Sequence, residues 1–433
     1  MKIKIQPTLQ RLERSTCNFL AVETVKRELK AAGFRELRQE EEWSIQGAGK
    51  YFMVKNGSAI FAFVKGSAKP GEEEFRIISA HSDSPCFKVK PNAEIYGDGG
   101  VVSLNVEKYG GGILYTWFDR PLSMSGRVML ATSDPFHPET RLFDLERGVA
   151  TIPHLAIHFN RDVNEGNPLS VQKDMKPVIG FFSNERIEQV KSRGGFVRLM
   201  VAERLGIEPE EILDYEIVLY PFEKPSVCGV NGEFFQSARI DDLSMVFAGL
   251  DALLATCDTT TPATRVLAVF DNEETGSGTK QGAASPVLRD LLERINKGSR
   301  EDFLRAIARS FMISADNAHA WHPNYNEKYD PTNHPVIGGG PVIKINANCK
   351  YMTDAEGASV FRSLCRKAGV PCQTFVNHSD VAGGSTLGNI LTSQLDLRGV
   401  DMGNAIWAMH SARETAGTAD QFAAIKVFTT FFS

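Results

Sequence analysis

The sequence predicts an α/β protein with a β-rich middle, and three observations carry that prediction. After Gln236, short apolar runs alternate with segments of helical periodicity, the sign of a layered α/β domain. From about Pro91 to Gln236 the apolar runs are instead short, frequent and separated by Gly, Asp, Asn and Pro, which favours β structure. Several of the apolar runs outside that middle segment end abruptly in His, Asp or Glu.

The elements follow in chain order. Phe19, Leu20, Val22, Val25 and Leu29 recur at helical spacing, which predicts a helix over Cys17–Ala32, with Ser15 or Thr16 as its cap and Gly33 as its stop. The runs Lys50–Val54 and Ala59–Val64 flank Asn56-Gly57, a hairpin signal. Phe75–Ala80 reads as a short strand. In the middle segment Val101–Val106, Gly112–Trp117, Gly126–Ala131 and His154–Phe159 read as β runs. Beyond it, helices are expected at Leu243–Cys257, Pro286–Asn296, Asp302–Ala308 and Ala355–Lys367. Strands are expected at Arg265–Phe270, Phe311–Ser314, Thr374–Val376 and Ala405–Met409.

Composition excludes several classes. The chain has 433 residues, 42% hydrophobic and 23% charged, which is globular rather than disordered. Lys plus Arg is 48 and Asp plus Glu is 53, a net charge of -5, without the basic excess of a dedicated nucleic-acid binder. The seven cysteines are scattered and never spaced C-x-x-C, which argues against a thiolate zinc site or a disulfide framework. Free thiols in a reducing compartment fit better. The N-terminal MKIKIQPTLQRLERSTC lacks an unbroken apolar core, and no stretch has the length needed to span a bilayer. A soluble, cytoplasmic protein with no nucleic-acid or membrane partner is expected.

The chemistry sits where the runs end. FRIISA runs into His81-Ser82-Asp83, RVLAVF into Asp271-Asn272-Glu273-Glu274, FMISA into Asp316 with His319 three residues on, and AIWAM into His410. Asp241 directly precedes the helix expected at Leu243. In open α/β sheets, sites form just beyond the carboxyl ends of the strands, so these residues are candidates for one cleft. Each has an ordinary alternative: a hydrogen-bonded structural histidine, a solvated Glu-Glu pair, a helix cap at Asp316, and an N-cap or first turn at Asp241-Asp242. The joint pattern favours metal chemistry. Carboxylates and imidazoles without thiolate suit zinc, manganese or cobalt. Two His and three carboxylates are too many for one tetrahedral ion with an open position, and the right number for two ions sharing a carboxylate. Of the adjacent glutamates, one can bind metal while the other accepts a proton. Asp83, two residues after His81, is placed to hold the second imidazole nitrogen.

With these residues in view, the chain resembles the aspartyl aminopeptidase family of two-metal aminopeptidases, and its bacterial members in particular. The matching segments are AHSDSP at Ala80–Pro85, YGGGILYTWFDRPLS at Tyr109–Ser123, IPHLAIHFNRDVN at Ile152–Asn164, SARIDDL at Ser237–Leu243, DNEETGSGT at Asp271–Thr279, SADNAHAWHPNY at Ser314–Tyr325, GGPVIKIN at Gly339–Asn346 and WAMHSARE at Trp407–Glu414. They run in the family order over nearly the whole chain. The resemblance implies a mixed-sheet metallo-aminopeptidase domain sandwiched by helices, formed discontinuously by residues 1–90 and 237–433. An inserted β-rich dimerisation domain would occupy residues 91–236. It implies two divalent metal ions per subunit, zinc first, with manganese or cobalt as alternatives. His81 and Asp316 would hold one ion, Glu274 and His410 the other, and Asp241 would bridge them. A water between the ions would be the nucleophile and Glu273 the general base.

It further implies peptide substrates with Asp or Glu at the N-terminus, and a homo-oligomer, a dodecamer built from dimers, in which a histidine of the inserted domain reaches a neighbouring subunit's site. Here that residue is His154 or His158, four apart in the expected strand and so facing one side. An acidic side chain needs a cation in its pocket. Lys344 is the main candidate, with a surface lysine as the ordinary alternative. His378, with Gly383 and Gly384, is a candidate for the pocket wall, against an ordinary Gly-rich loop. The chain departs from the family at Asp242, where Asn is frequent, at Asn272, where His is frequent, and at Lys350, where some relatives carry Arg. The competing readings are an aminopeptidase for neutral residues, a two-metal carboxypeptidase or deacylase, and a non-catalytic assembly protein on the same scaffold.

Overall fold

A computed structural model describes residues 2–45 and 47–433. The chain divides into two compact units. The first comprises 1–83, 225–409 and 414–433; the second comprises 84–224 and 410–413.

The first unit is built on a nine-stranded mixed sheet. Its strands in chain order are β1 (Arg35–Glu36), β2 (Lys50–Lys55), β3 (Ala59–Val64), β4 (Phe75–His81), β5 (Thr264–Phe270), β6 (Phe311–Ala315), β7 (Val342–Ile345), β8 (Gln373–Val376) and β9 (Arg398–Gly403). Their order across the sheet is β1-β2-β3-β5-β4-β6-β9-β7-β8. The four central strands β5, β4, β6 and β9 are mutually parallel, with Phe270 beside His81 and Ser314 beside Ser79. Their carboxyl ends therefore point the same way.

These central strands read as nearly unbroken apolar runs because both of their faces are covered. Ile78 and Ala80 of β4, with Leu267 and Val269 of β5, face a core shared with the helices Asn18–Ala31, Ile240–Thr256, Ala355–Ala368 and Thr418–Phe432. Phe75 and Ile77, with Val266, Ala268 and Phe270, face the opposite core, closed by the helices Val287–Asn296, Arg300–Arg309 and Leu387–Thr392. Phe61 and Phe270 meet edge to face there, 5.2 Å apart. The hairpin between β2 and β3 pairs Lys55 with Ala59, leaving a three-residue loop in which Asn56 and Gly57 take φ of 55° and 71°. Asn and Gly enter that left-handed region most readily. A smaller five-stranded sheet completes the unit, in the order Ser226–Cys228, Phe234–Ser237, Glu414–Gly417, Ala405–Trp407 and Ala318–His319.

The second unit carries a six-stranded antiparallel sheet, in the order Glu139–Asp144, Leu122–Leu130, Ile212–Pro221, Cys86–Tyr96, Val101–Tyr109 and Val178–Phe181. Its core includes Phe87 and Trp117, packed edge to face at 5.0 Å, under the helix Phe196–Leu205.

Three local expectations need correction. Gly112–Trp117 is not a strand but ends in a 3-10 turn, Leu114–Trp117. His154–Phe159 is not a strand either. His154 lies in a loop and His158 in the 3-10 turn Ile157–Phe159, so a strand's alternation does not place the two on one side. Both segments have strand-like composition but no partner strand to complete their hydrogen bonds. The helix expected over Cys17–Ala32 begins at Asn18, with Cys17 rather than Ser15 or Thr16 at its N-cap position; a further helix, Lys2–Arg14, precedes it.

Candidate metal centre

The site forms beyond the carboxyl ends of β4, β5 and β6. β4 ends on His81, which is 1% exposed. Its Nδ1 lies 3.0 Å from the Asp83 carbonyl oxygen and 3.3 Å from the Asp83 carboxylate. With Nδ1 engaged there, Nε2 is the ring nitrogen left for a further partner. It faces Asp241 Oδ1 at 3.7 Å. Burial opposes a charge on this ring. The hydrogen bond to Asp83 and the charges of Asp242, Glu273 and Asp83 nevertheless hold its pKa well above the ordinary histidine value.

The Asp83 carboxylate also accepts the backbone N–H groups of Glu273 (3.2 Å) and Glu274 (3.1 Å). One buried aspartate thus orients His81 and fixes the turn that follows β5. That turn starts at Asn272, with φ of 62°, and continues as the 3-10 turn Glu273–Thr275. The Asn272 side-chain oxygen accepts from Thr279 Oγ1 (2.8 Å) and Gln281 Nε2 (2.9 Å), closing the loop on itself. Asn is well suited to left-handed backbone, so the departure from His at this position has a local structural use. Burial first, then the charges of Asp316, Glu274 and Asp83, push the Glu273 carboxyl up to about 8 against the influence of His81. A carboxyl poised near neutrality in a cleft is a candidate proton carrier.

Asp241 and Asp242 open the helix Ile240–Thr256 with non-helical backbone, so regular helix starts at Leu243. Neither acts as a simple cap. The Asp241 N–H donates to Glu414 Oε2 at 3.1 Å, and Asp242 Oδ2 accepts the His81 N–H at 3.1 Å. Asp316 directly follows β6 and is 7% exposed. His81, Asp241, Asp242 and Asp316 each offer a ligand atom within 4.8 Å of the others, and His81, Glu273 and Glu274 form a second such group. Asp242 is pushed well above the carboxylate range, by burial first and then by Asp316 and Asp241, with His81 opposing. Three buried carboxylates around one imidazole are a donor set that a hard or borderline cation satisfies.

Lys344, on β7, is no surface lysine. It is 4% exposed, and its Nζ lies 3.3 Å from Asp316 Oδ1 and 5.7 Å from the centre of the Tyr351 ring. Burial disfavours its charge, but Asp316, Tyr351, Asp401 and Asp241 hold its pKa above the ordinary lysine value. His378, half-buried, follows β8 and its Nδ1 accepts the Asp380 N–H at 3.2 Å. With His319, Lys328, Tyr329, Phe375 and the segment 381–384, it lines a cavity of about 200 Å³ in the first unit. Gly383 and Gly384 belong to that wall.

His410 follows Met409 and belongs to the second unit, where its Nδ1 lies 3.2 Å from the Gly111 carbonyl oxygen. The strand before it, Ala405–Trp407, belongs to the small sheet, not the large one. His154 and His158 also lie in the second unit; the ring of His154 packs edge to face on Phe118 at 4.5 Å.

Sequence reasoning assigned no part to Glu414, Tyr351 or Asn317. Glu414 is 1% exposed and receives the Asp241 N–H. Asn317 Nδ2 donates to the Ile240 carbonyl at 3.0 Å, tying the end of β6 to the start of that helix. The available signal was a charged residue, Glu414, beside a short apolar run in a segment already matched to the family.

Residues 12–432 match the family described as aminopeptidase I zinc metalloprotease (M18). A protein of Clostridium novyi (strain NT), a probable M18 family aminopeptidase 2, is 46% identical over 439 residues, covering 100% of both chains. Among solved structures, a chain of the cryo-EM structure of the Ape4 and Nbr1 complex is 34% identical with a TM-score of 0.94, covering 98% of this chain and 84% of that one. The S. cerevisiae mApe1 dodecamer is 25% identical with a TM-score of 0.85, covering 99% of this chain and 95% of that one. The protein is therefore a metallo-hydrolase acting on peptide bonds, and the chain belongs to the M18 family of zinc metallo-aminopeptidases.

Proposed function

We propose that this aminopeptidase works with two divalent ions per subunit, zinc first, and that it prefers peptides with Asp or Glu at the N-terminus. The observation that carries the two-ion reading is the clustering of His81, Asp241, Asp242 and Asp316 beside Glu273 and Glu274, more donors than one open tetrahedral ion uses. His81 and Asp316 would hold one ion, Glu274 and His410 the other, with Asp241 shared. When bound, such ions lower the pKa of water and polarise the scissile carbonyl.

The chain's own residues do the rest. Asp83 holds the His81 ring and the Glu273–Glu274 backbone in register. Glu273 accepts the proton of the attacking water at its carboxylate and passes it to the leaving amine. Lys344 sets a buried positive charge against Asp316, and Lys328 and His378 add basic side chains to the nearby cavity wall in the same unit. The two lysines support the acidic preference, because a carboxylate leaving water needs a partner.

The assembly reading is a homo-oligomer, a dodecamer built through the second unit. It is supported by the likeness to the S. cerevisiae mApe1 dodecamer and by the apolar Leu155, Ile157, Phe159 and Phe181 of that unit, all more than half exposed. His154 or His158 would there reach a neighbouring subunit's site. The substrate test is a panel of aminoacyl reporters, with free and acetylated N-termini. The expected result is hydrolysis of free aspartyl and glutamyl substrates and rejection of the acetylated ones. Preference for leucyl substrates overturns the acidic reading, and turnover of acetylated peptides favours a deacylase.

A further inference from the structure

Two of the seven free thiols flank a single turn. Cys365 sits on the last turn of the helix Ala355–Ala368, and Cys372 directly precedes β8. The turn between them is compact. Gly369 takes φ of 66°, its N–H donates to the Arg366 carbonyl at 3.1 Å, and the Val370 N–H donates to the Cys365 carbonyl at 3.0 Å. One step outward, Arg362 on the same helix donates to Thr374 Oγ1 at 2.6 Å. The helix end and the strand start are thus laced side by side, with Cys365 and Cys372 packed on the same core on either side of the turn. Cys365 is 1% exposed, whereas Cys372 is only partly buried, and its Sγ also lies 3.7 Å from the Gln373 carbonyl oxygen.

We propose that Cys365 and Cys372 are a modification site: a thiol pair that closes reversibly into a disulfide when the protein meets a hydroperoxide. The two members have different roles. The neighbouring Cys365 thiol, and then the Arg362 charge, lower the pKa of the Cys372 thiol although burial opposes this; Cys372 and burial raise that of Cys365. Cys372 is the better exposed sulfur, the one a peroxide reaches first, and is therefore the attacking one. Its thiolate attacks one peroxide oxygen. The O–O bond breaks, an alcohol or water departs, and Cys372 carries a sulfenic acid. The Cys365 thiol then attacks that sulfur. The S–S bond forms, the S–O bond breaks, and hydroxide leaves with the thiol proton as water. The pair loses two electrons, which the peroxide takes up.

The test uses the full-length holoenzyme. It is treated with hydrogen peroxide, denatured in an alkylating agent and digested with trypsin, which cuts between the two cysteines at Arg366 and Lys367. The expected result is a Cys365–Cys372 linked peptide pair, two hydrogens lighter than the separate thiol peptides and released by dithiothreitol. Exposed Cys349 serves as the unpaired control. In Cys365→Ser, with Cys365→Ala as a second variant against misfolding, the Cys372 sulfenic acid should persist and be trapped by dimedone. Alkylatable Cys365 after Cys372 has been oxidised overturns the proposal. So does equal dimedone labelling of wild type and both variants.

Discussion

Asp83 is the residue on which the centre is arranged, because a single carboxylate holds His81 and the backbone of both glutamates. Asp83→Ala should lower metal affinity by roughly 10–100-fold, the usual loss when a group behind a metal ligand is removed; equilibrium dialysis with zinc reads this. Unchanged affinity would mean that the ligands are held by other contacts. Glu273 serves a different purpose. Glu273→Gln should keep its bound metal and lose about 10²–10⁴-fold in kcat, as expected for removal of a proton carrier. Normal turnover in that variant would refute the role. Lys344→Met should depress kcat/KM on aspartyl substrates more than on leucyl ones, and an equal loss on both would point to a role in supporting Asp316 alone.

Among these residues, His81, Glu273, Glu274 and Asp316 were legible because each stands where an apolar run stops. The burial of Lys344 was not, since a short run reading VIKI does not reveal that a second charge, Asp316, waits beside the lysine. Glu414 and Asn317 escaped because their contacts join segments far apart in the chain.

At the scale of elements, four parallel strands with both faces covered bring their carboxyl ends to one edge. β9 passes so close to the residue after β6 that a Cβ on Gly403 would collide with the Asp316 carbonyl oxygen. Gly403→Ala should therefore shift Asp316 and weaken metal binding while far-UV circular dichroism stays near wild type; retained zinc affinity would show that the strands can separate without moving the ligand. On the opposite face, Phe61→Ala should cost about 3–5 kcal/mol in denaturant unfolding, the usual loss for truncating a buried ring. Phe61 is fully buried and packs on Phe270.

The strands and helices of this layered part followed from periodicity and length. The failures have a common cause. Gly112–Trp117 and His154–Phe159 carry strand-like composition, but whether a run becomes a strand depends on a partner, and partners are set by tertiary structure. The hydrophobic pattern also could not separate the large sheet from the small one, so the short strand before His410 read as a member of the same layer.

For the whole molecule, the decisive property is an acidic, buried cluster whose donors suit a cation. Among the described residues no helix is long and apolar enough to cross a membrane, and the chain's sequence and fold place it among the M18 aminopeptidases. A protein that binds metal only when folded gains stability from it, about 2.7 kcal/mol at a hundredfold excess over Kd. Chelation should therefore lower the melting temperature as well as abolish hydrolysis, and added zinc should restore both. The central claim, a two-ion centre sharing Asp241, is tested most directly by the number of zinc ions bound per chain at saturation, measured by inductively coupled plasma mass spectrometry on wild type and Asp241→Ala. The account predicts two ions in the wild type and a loss of at least one in the variant; a single ion at saturation in the wild type would contradict it.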